Sequence, residues 1–110
     1  MIRVLLDEYL PKKLKYRIQE LDSGFDAKTT PEMGWGSLSN GRLLSVAEKE
    51  FDVFVTSDKN LSFQQSISKS SIQVVLLVAQ TNIYEDLIPL IKKLPVVIKS
   101  HKPGRFIEVK

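Results

Sequence analysis

The chain of 110 residues contains no cysteine. That excludes a disulfide framework and any thiolate zinc or redox centre, and makes reducing cytoplasm the default compartment. Histidine occurs once, as His101, in a basic polar turn with no ligand or nucleophile partner nearby in sequence, and it reads as a surface residue. Long apolar runs are missing: none approaches the roughly 20 residues needed to span a bilayer. The opening Met1-Ile2-Arg3-Val4 lacks a signal-peptide pattern, because its apolar run is short and interrupted by acids. Charge of one sign is scarce as well. Lys and Arg number 16 against 13 Asp and Glu, a net +3 that falls well short of a polybasic nucleic-acid binder. No repeat, linker or low-complexity segment interrupts the chain. What remains is an ordinary soluble composition, 43% hydrophobic and 26% charged. Residues 1–110 therefore read as a single domain, able to bury roughly 65% of its unfolded surface.

Strand and helix patterns alternate from end to end. Ile2 to Leu6 is a short apolar run, followed by Pro11 and a helical face of Leu10, Leu14, Ile18 and Leu21, with Gly24 just beyond. Phe25 to Thr30 reads as a short second strand. A loop punctuated by Pro31, Gly34 and Gly36 carries the only tryptophan, Trp35, expected as a packed anchor rather than a base-stacking platform. Ser39 and Asn40 are both good caps for a helix that buries Leu43, Leu44, Ala47 and Phe51. The strand Val53 to Thr56 follows, then a short polar helix near Leu61 to Ile67 and the most apolar strand, Ile72 to Val78. Thr81 or Asn82 caps a helix over Ile83 to Lys93, with Leu87, Ile88, Ile91 and Leu94 on its apolar side and Pro89 in its early turns. Val96 to Ser100 fits either a helical continuation after Pro95 or a strand. Pro103-Gly104 is a turn and Phe106 to Val109 a final strand. Runs that are apolar throughout are typical of strands buried on both faces. The expected class is α/β, a three-layer sandwich with a mainly parallel sheet and helices on both faces.

Acids stand where two of these strands end: Asp7 and Glu8 after the first, Asp58 after Val53 to Thr56. In open α/β sheets ligands bind outside the carboxyl ends of the strands. If the two strands are neighbours, Asp7 and Asp58 share one crevice, where two carboxylates repel unless a cation lies between them. A hard divalent ion such as Mg2+ suits that arrangement, and it points to metal-dependent phosphate chemistry. Strand alternation sends Glu8 the opposite way from Asp7, so the bland reading of Glu8 is a complement to the following helix dipole. Basic residues gather in two places. Lys12, Lys13, Lys15 and Arg17 open the first helix, and from Lys92 onward Glu108 is the one acid among Lys92, Lys93, Lys99, Lys102, Arg105 and Lys110. Such groups are either a solvated surface or a contact for an anionic polymer.

The motif VLLDEYLP, Val4 to Pro11, resembles the LLDExLP opening of PIN-like proteins of bacterial toxin–antitoxin operons. GWGSLSNGRLL (Gly34 to Leu44), FVTSDKNLSFQQ (Phe54 to Gln65) and the tail KPGRFIEV are similar to the same family in the same order, so the resemblance spans nearly the whole chain. It implies a nuclease that holds Mg2+ or Mn2+ with acids at strand ends and cleaves single-stranded RNA. It implies Asp7, Asp58 and Asn40 as the catalytic set, with Asp7, Asp58 and Glu8 around the metal. Thr56, Lys59 and Asn60 would be supporting residues, and Lys12, Lys13, Lys102 and Arg105 RNA contacts. The implied partners are an antitoxin protein and RNA, with no membrane and with room for a homodimer. Asn40 departs from the pattern, since many relatives carry an acid there. An amide oxygen can ligate a metal but brings no charge, so a binding module that has lost catalysis is an alternative. A receiver-type phosphoacceptor domain is a third reading, with Asp7 and Glu8 as its acidic pair, Asp58 as acceptor, Thr81 as hydroxyl, and Lys102-Pro103 near the end.

Overall fold

The computed structural model describes residues 2–38, 40–57, 71–99 and 106–110, with Asn40, Gly41 and Lys99 described as backbone alone. Five strands form one sheet: β1 (Ile2–Leu6), β2 (Phe25–Thr29), β3 (Val53–Thr56), β4 (Gln73–Leu77) and β5 (Phe106–Val109). Their order is β2-β1-β3-β4-β5, and every pairing is parallel. The interior strands are the mainly apolar ones; β3 and β4 are buried at every position, and β1 from Val4 onward. The edge strand β2 alternates instead, burying Phe25, Ala27 and Thr29 and leaving Asp26 and Lys28 half-buried. Charged side chains on an edge discourage pairing with another chain.

Because side chains alternate across a strand, the sheet separates two cores. Val4, Leu6, Val53, Val55, Val75 and Leu77 face the larger one, closed by α1 (Leu14–Leu21), α3 (Tyr84–Ile91) and α4 (Leu94–Lys99). Leu5, Phe54 and Val74 face the smaller one, closed by α2 (Asn40–Ala47) together with Phe51 and the Trp35 loop. The three-layer α/β class expected from the sequence is the observed one.

The connections do not all turn the same way. The step from β1 to β2 runs through α1 over the larger core. The step from β2 to β3 reverses direction past β1 and runs through α2 over the other face, so these two share one hand. From β4 to β5 the chain keeps the second direction but returns to the first face through α3 and α4. Its hand is therefore opposite to theirs. Right-handed connections make up about 98% of such crossovers, so this sheet departs from the rule at one end.

Boundaries differ from the sequence expectation in instructive places. The first helix begins at Leu14, three residues after Pro11, because no capping side chain or first-turn acid is present to start it earlier. Turns fill the gap, with Leu10 N–H donating to Asp7 O and Leu14 N–H to Pro11 O. Leu10, Leu14 and Ile18 are buried as expected, but Leu21 in the last turn protrudes, 38% exposed. Thr81 Oγ1 accepts the Ile83 N–H and donates to Asp86, but Ile83 occupies the cap position and no side chain caps the helix, so the capping expected of Thr81 or Asn82 is not observed. The ambiguous segment after Pro95 is helical. Among the described residues no helix is long and apolar enough to cross a membrane. The short helix expected near Leu61 to Ile67, the turn at Pro103-Gly104 and His101 lie outside the described residues.

Candidate active site at the carboxyl edge

The order β2-β1-β3 places a reversal between β1 and β3, since the chain leaves β1 to one side and reaches β3 on the other. At such a switch point two connections diverge and leave a crevice beyond the strand ends. Asp7 stands at this point, one residue beyond β1. Its N–H donates to Val55 O at 2.9 Å, which carries the parallel ladder past the end of the strand. The next positions in register are Thr30 on the β2 side and Thr56 on the β3 side, so two threonines flank the acid, about 4.8 Å away on each neighbouring strand.

The Asp7 side chain is 9% exposed and held at both oxygens. Thr56 Oγ1 donates to Oδ2 at 2.6 Å, and the Glu8 N–H donates to Oδ1 at 2.7 Å. The Thr56 hydroxyl, in a fully buried residue, was expected to support Asp58; among the described residues it is Asp7 that it holds. Hydrogen bonds to an ionised acceptor are short and stronger than neutral ones, and they fix the carboxylate in one orientation.

Two more hydroxyls complete the edge. Thr30 Oγ1, in a residue 1% exposed, and Ser57 Oγ, in a residue 9% exposed, have no hydrogen-bond partner among the described residues. A buried hydroxyl without a partner costs free energy and points to a water or ion that completes it. Sequence reasoning missed both. The available signal was the Thr29-Thr30 pair ending β2 and the Thr56-Ser57 pair ending β3, hydroxyl doublets at the ends of the two strands that flank β1.

Glu8 differs from its expected direction. Strand alternation ends with the strand, and the chain turns immediately after Asp7. The Glu8 carboxylate reaches over to Gly36, where an added Cβ would come within 3.2 Å of Oε2. Gly36 belongs to the loop that covers the smaller core, the face on which Asp7 and Thr56 lie. Glu8 therefore approaches the rim of the crevice from above and is not placed along the axis of α1. The same loop is shaped by Gly34, whose φ of 77° favours glycine, and by Trp35, which packs edge-on against Phe51 at 5.9 Å between centroids. Trp35 is the packed anchor that the sequence suggested.

Asn40 is the first residue of α2, whose N-terminus lies at the carboxyl edge because α2 runs back against the strands. Its side chain is outside the description, as are Asp58, Lys59, Asn60, Lys102 and Arg105. Among the described residues no group of three acids or histidines stands ready for a metal. Asp7, Glu8 and the two unpartnered hydroxyls are nonetheless an all-oxygen set, the donor type that Mg2+ and Mn2+ take. Lys12 and Lys13 are exposed on the turn before α1, at this same edge. Lys12 lines a cleft of about 320 Å³ with Lys15, Tyr16, Thr29, Pro31 and Glu32. Comparison with protein-family models, with curated proteins and with solved structures returned no match.

Proposed function

We propose that this chain is a PIN-like, metal-dependent ribonuclease, the toxin component of a toxin–antitoxin pair, acting on single-stranded RNA in the cytoplasm. The observation that supports it most is the Asp7 carboxylate, buried at the switch point and oriented by Thr56 and the Glu8 N–H. Asp58 follows Ser57 in sequence and serves as the second anionic ligand, with Asn40 as a neutral one and Glu8 at the rim. A divalent ion bound there lowers the pKa of its water and offsets charge on the scissile phosphate. Thr56 holds Asp7 in the orientation needed for ligation, with Lys59 and Asn60 supporting the β3 side. Lys12, Lys13, Lys102 and Arg105 contact RNA phosphates, and an antitoxin protein neutralises the activity; a homodimer is compatible with this arrangement.

The test is cleavage of labelled single-stranded RNA with Mn2+, comparing the parent, Asp7→Asn and Asn40→Asp. The parent should cleave slowly, Asp7→Asn should lose at least about a hundredfold, near 2.7 kcal/mol of transition-state stabilisation, and Asn40→Asp should gain. Tighter metal binding by Asn40→Asp without any cleavage would favour a PIN-like binding module instead. The receiver-type reading has one observation in its favour, the strand order β2-β1-β3-β4-β5, which doubly wound signalling domains share. It is weakened at Thr81, whose hydroxyl is already engaged by Asp86 and the Ile83 N–H.

A further inference from the structure

Large apolar side chains exposed on the described surface are Tyr9, Tyr16, Leu21, Ile83 and Val96. The two tyrosines, each 60% exposed, bracket Lys12 and Lys13 at the carboxyl edge. Tyr16 lies one helical turn beyond Lys12 and shares its cleft. The charges of that cleft are unevenly committed. Lys15 Nζ reaches both Glu32 carboxylate oxygens at 3.0 Å, and Glu32 also accepts the Thr29 N–H at 2.7 Å. Those bonds keep Glu32 ionised, with its negative charge spent on Lys15. Lys12 makes no ion pair among the described residues, so the cleft carries one uncompensated positive charge.

Position connects the cleft to the acid. Thr29 lines it, while the next residue, Thr30, stands beside Asp7 on the other side of the sheet. A chain lying across the Asp7 crevice therefore passes over the turn at Pro31 and reaches Tyr16 next. An exposed ring beside an unpaired lysine matches a single strand of nucleic acid, which offers a base face and a phosphate at each step. Lys15 Nζ lies 5.8 Å from the Tyr16 ring centroid and limits where the ring can go.

We infer that Tyr16 is a base-stacking platform and Lys12 its phosphate contact, together holding a nucleotide adjacent to the one whose phosphate sits at Asp7. This rests on the ribonuclease reading, whose substrate it deepens, and the two can fail separately. The experiment titrates the full chain, in EDTA so that nothing is cleaved, into a short single-stranded RNA carrying a fluorescent adenine analogue. The parent should bind and quench the analogue. Tyr16→Ala should weaken binding at least about fivefold and abolish quenching, the loss expected for one stacked base. Tyr16→Trp should retain both. Lys12→Ala should reduce the slope of log affinity against log salt by about 0.7, one phosphate contact on a single strand. Unchanged affinity and quenching in Tyr16→Ala overturn the platform even if the parent cleaves RNA, and so does a parent that binds only protein partners. Binding and quenching as expected without cleavage in Mn2+ leave the platform standing and remove the nuclease.

Discussion

The two ends of the sheet both bury polar groups, and they treat them differently. At the amino end Asp52 ties three strands together: its carboxylate accepts the Arg3 N–H, its own N–H donates to Arg3 O, and its carbonyl accepts the Gln73 N–H. Beside it the Gln73 side chain is fully buried, on the face of Val53 and Val75, with neither amide atom hydrogen-bonded among the described residues. At the carboxyl end Thr30 and Ser57 also bury hydroxyls with no partner among the described residues, but Thr30 stands in register beside an oriented carboxylate at the switch point and Ser57 directly follows the Thr56 that holds it. Unpaired polarity alone therefore does not mark a site. Gln73 is a plain cost inside an apolar core, whereas the hydroxyls accompany an acid where connections diverge and a ligand can enter.

Substitutions at the two ends should separate these roles. The largest effect is expected from Asp7→Ala, which removes a ligand and strands the Thr56 hydroxyl. Isothermal titration should show Mn2+ binding reduced at least tenfold, or about 1.4 kcal/mol. Preserved affinity would shift the site to Glu8 and Asp58. Next in size, Gln73→Leu should stabilise the fold by about 1–3 kcal/mol, the cost of leaving a buried polar group unpaired, with metal affinity unchanged. Loss of stability in urea unfolding would mean that Gln73 has a buried water as partner. Thr30→Val should also stabilise, by about 1 kcal/mol, yet weaken metal or RNA binding. If stability rises and binding does not move, the two ends are equivalent and the distinction drawn above collapses.

The smallest effect concerns pH. The Glu32 carboxyl is held below its ordinary value of 4.5, first by the Thr29 N–H and then by Lys15, against partial burial. A depressed folded pKa contributes stability that is complete above the ordinary value and is lost as pH falls through the folded one. Thermal melts should therefore decline below about pH 4.5 more steeply in the parent than in Glu32→Gln, and parallel profiles would show the turn at Thr29 to Glu32 to be unimportant.

Much of this was legible in the chain. The apolar runs at Ile2 to Leu6 and Val53 to Thr56 could hardly be anything but buried strands, and the acid after the first marked its carboxyl end. The adjacency of β1 and β3 was an assumption that the ladder Val4↔Val53 to Leu6↔Val55 bears out. Other features depend on the third dimension. Glu8 was misdirected because alternation holds only while the chain stays extended. Gln73 sits unmarked inside the apolar run Ile72 to Val78, since a sequence does not reveal which positions receive cover on both faces. Thr30 gains its meaning from Asp7 in the neighbouring strand, a pairing that no local pattern announces. The reversed hand of the last crossover is likewise invisible until the faces of α3 and α4 are known.

The interior place of β1 also governs how the fold comes together. Its first neighbour, β2, is reached through the single helix α1, but its second, β3, is farther off: 49 residues separate Thr56 from Asp7. Contacts of high sequence separation carry a larger closure entropy and form late. A nascent chain can zip β1 to β2 early, yet Asp7 has no Thr56 to hold it until β3 docks. The oriented carboxylate of the carboxyl edge is thus a late product of folding, absent from a partly folded chain.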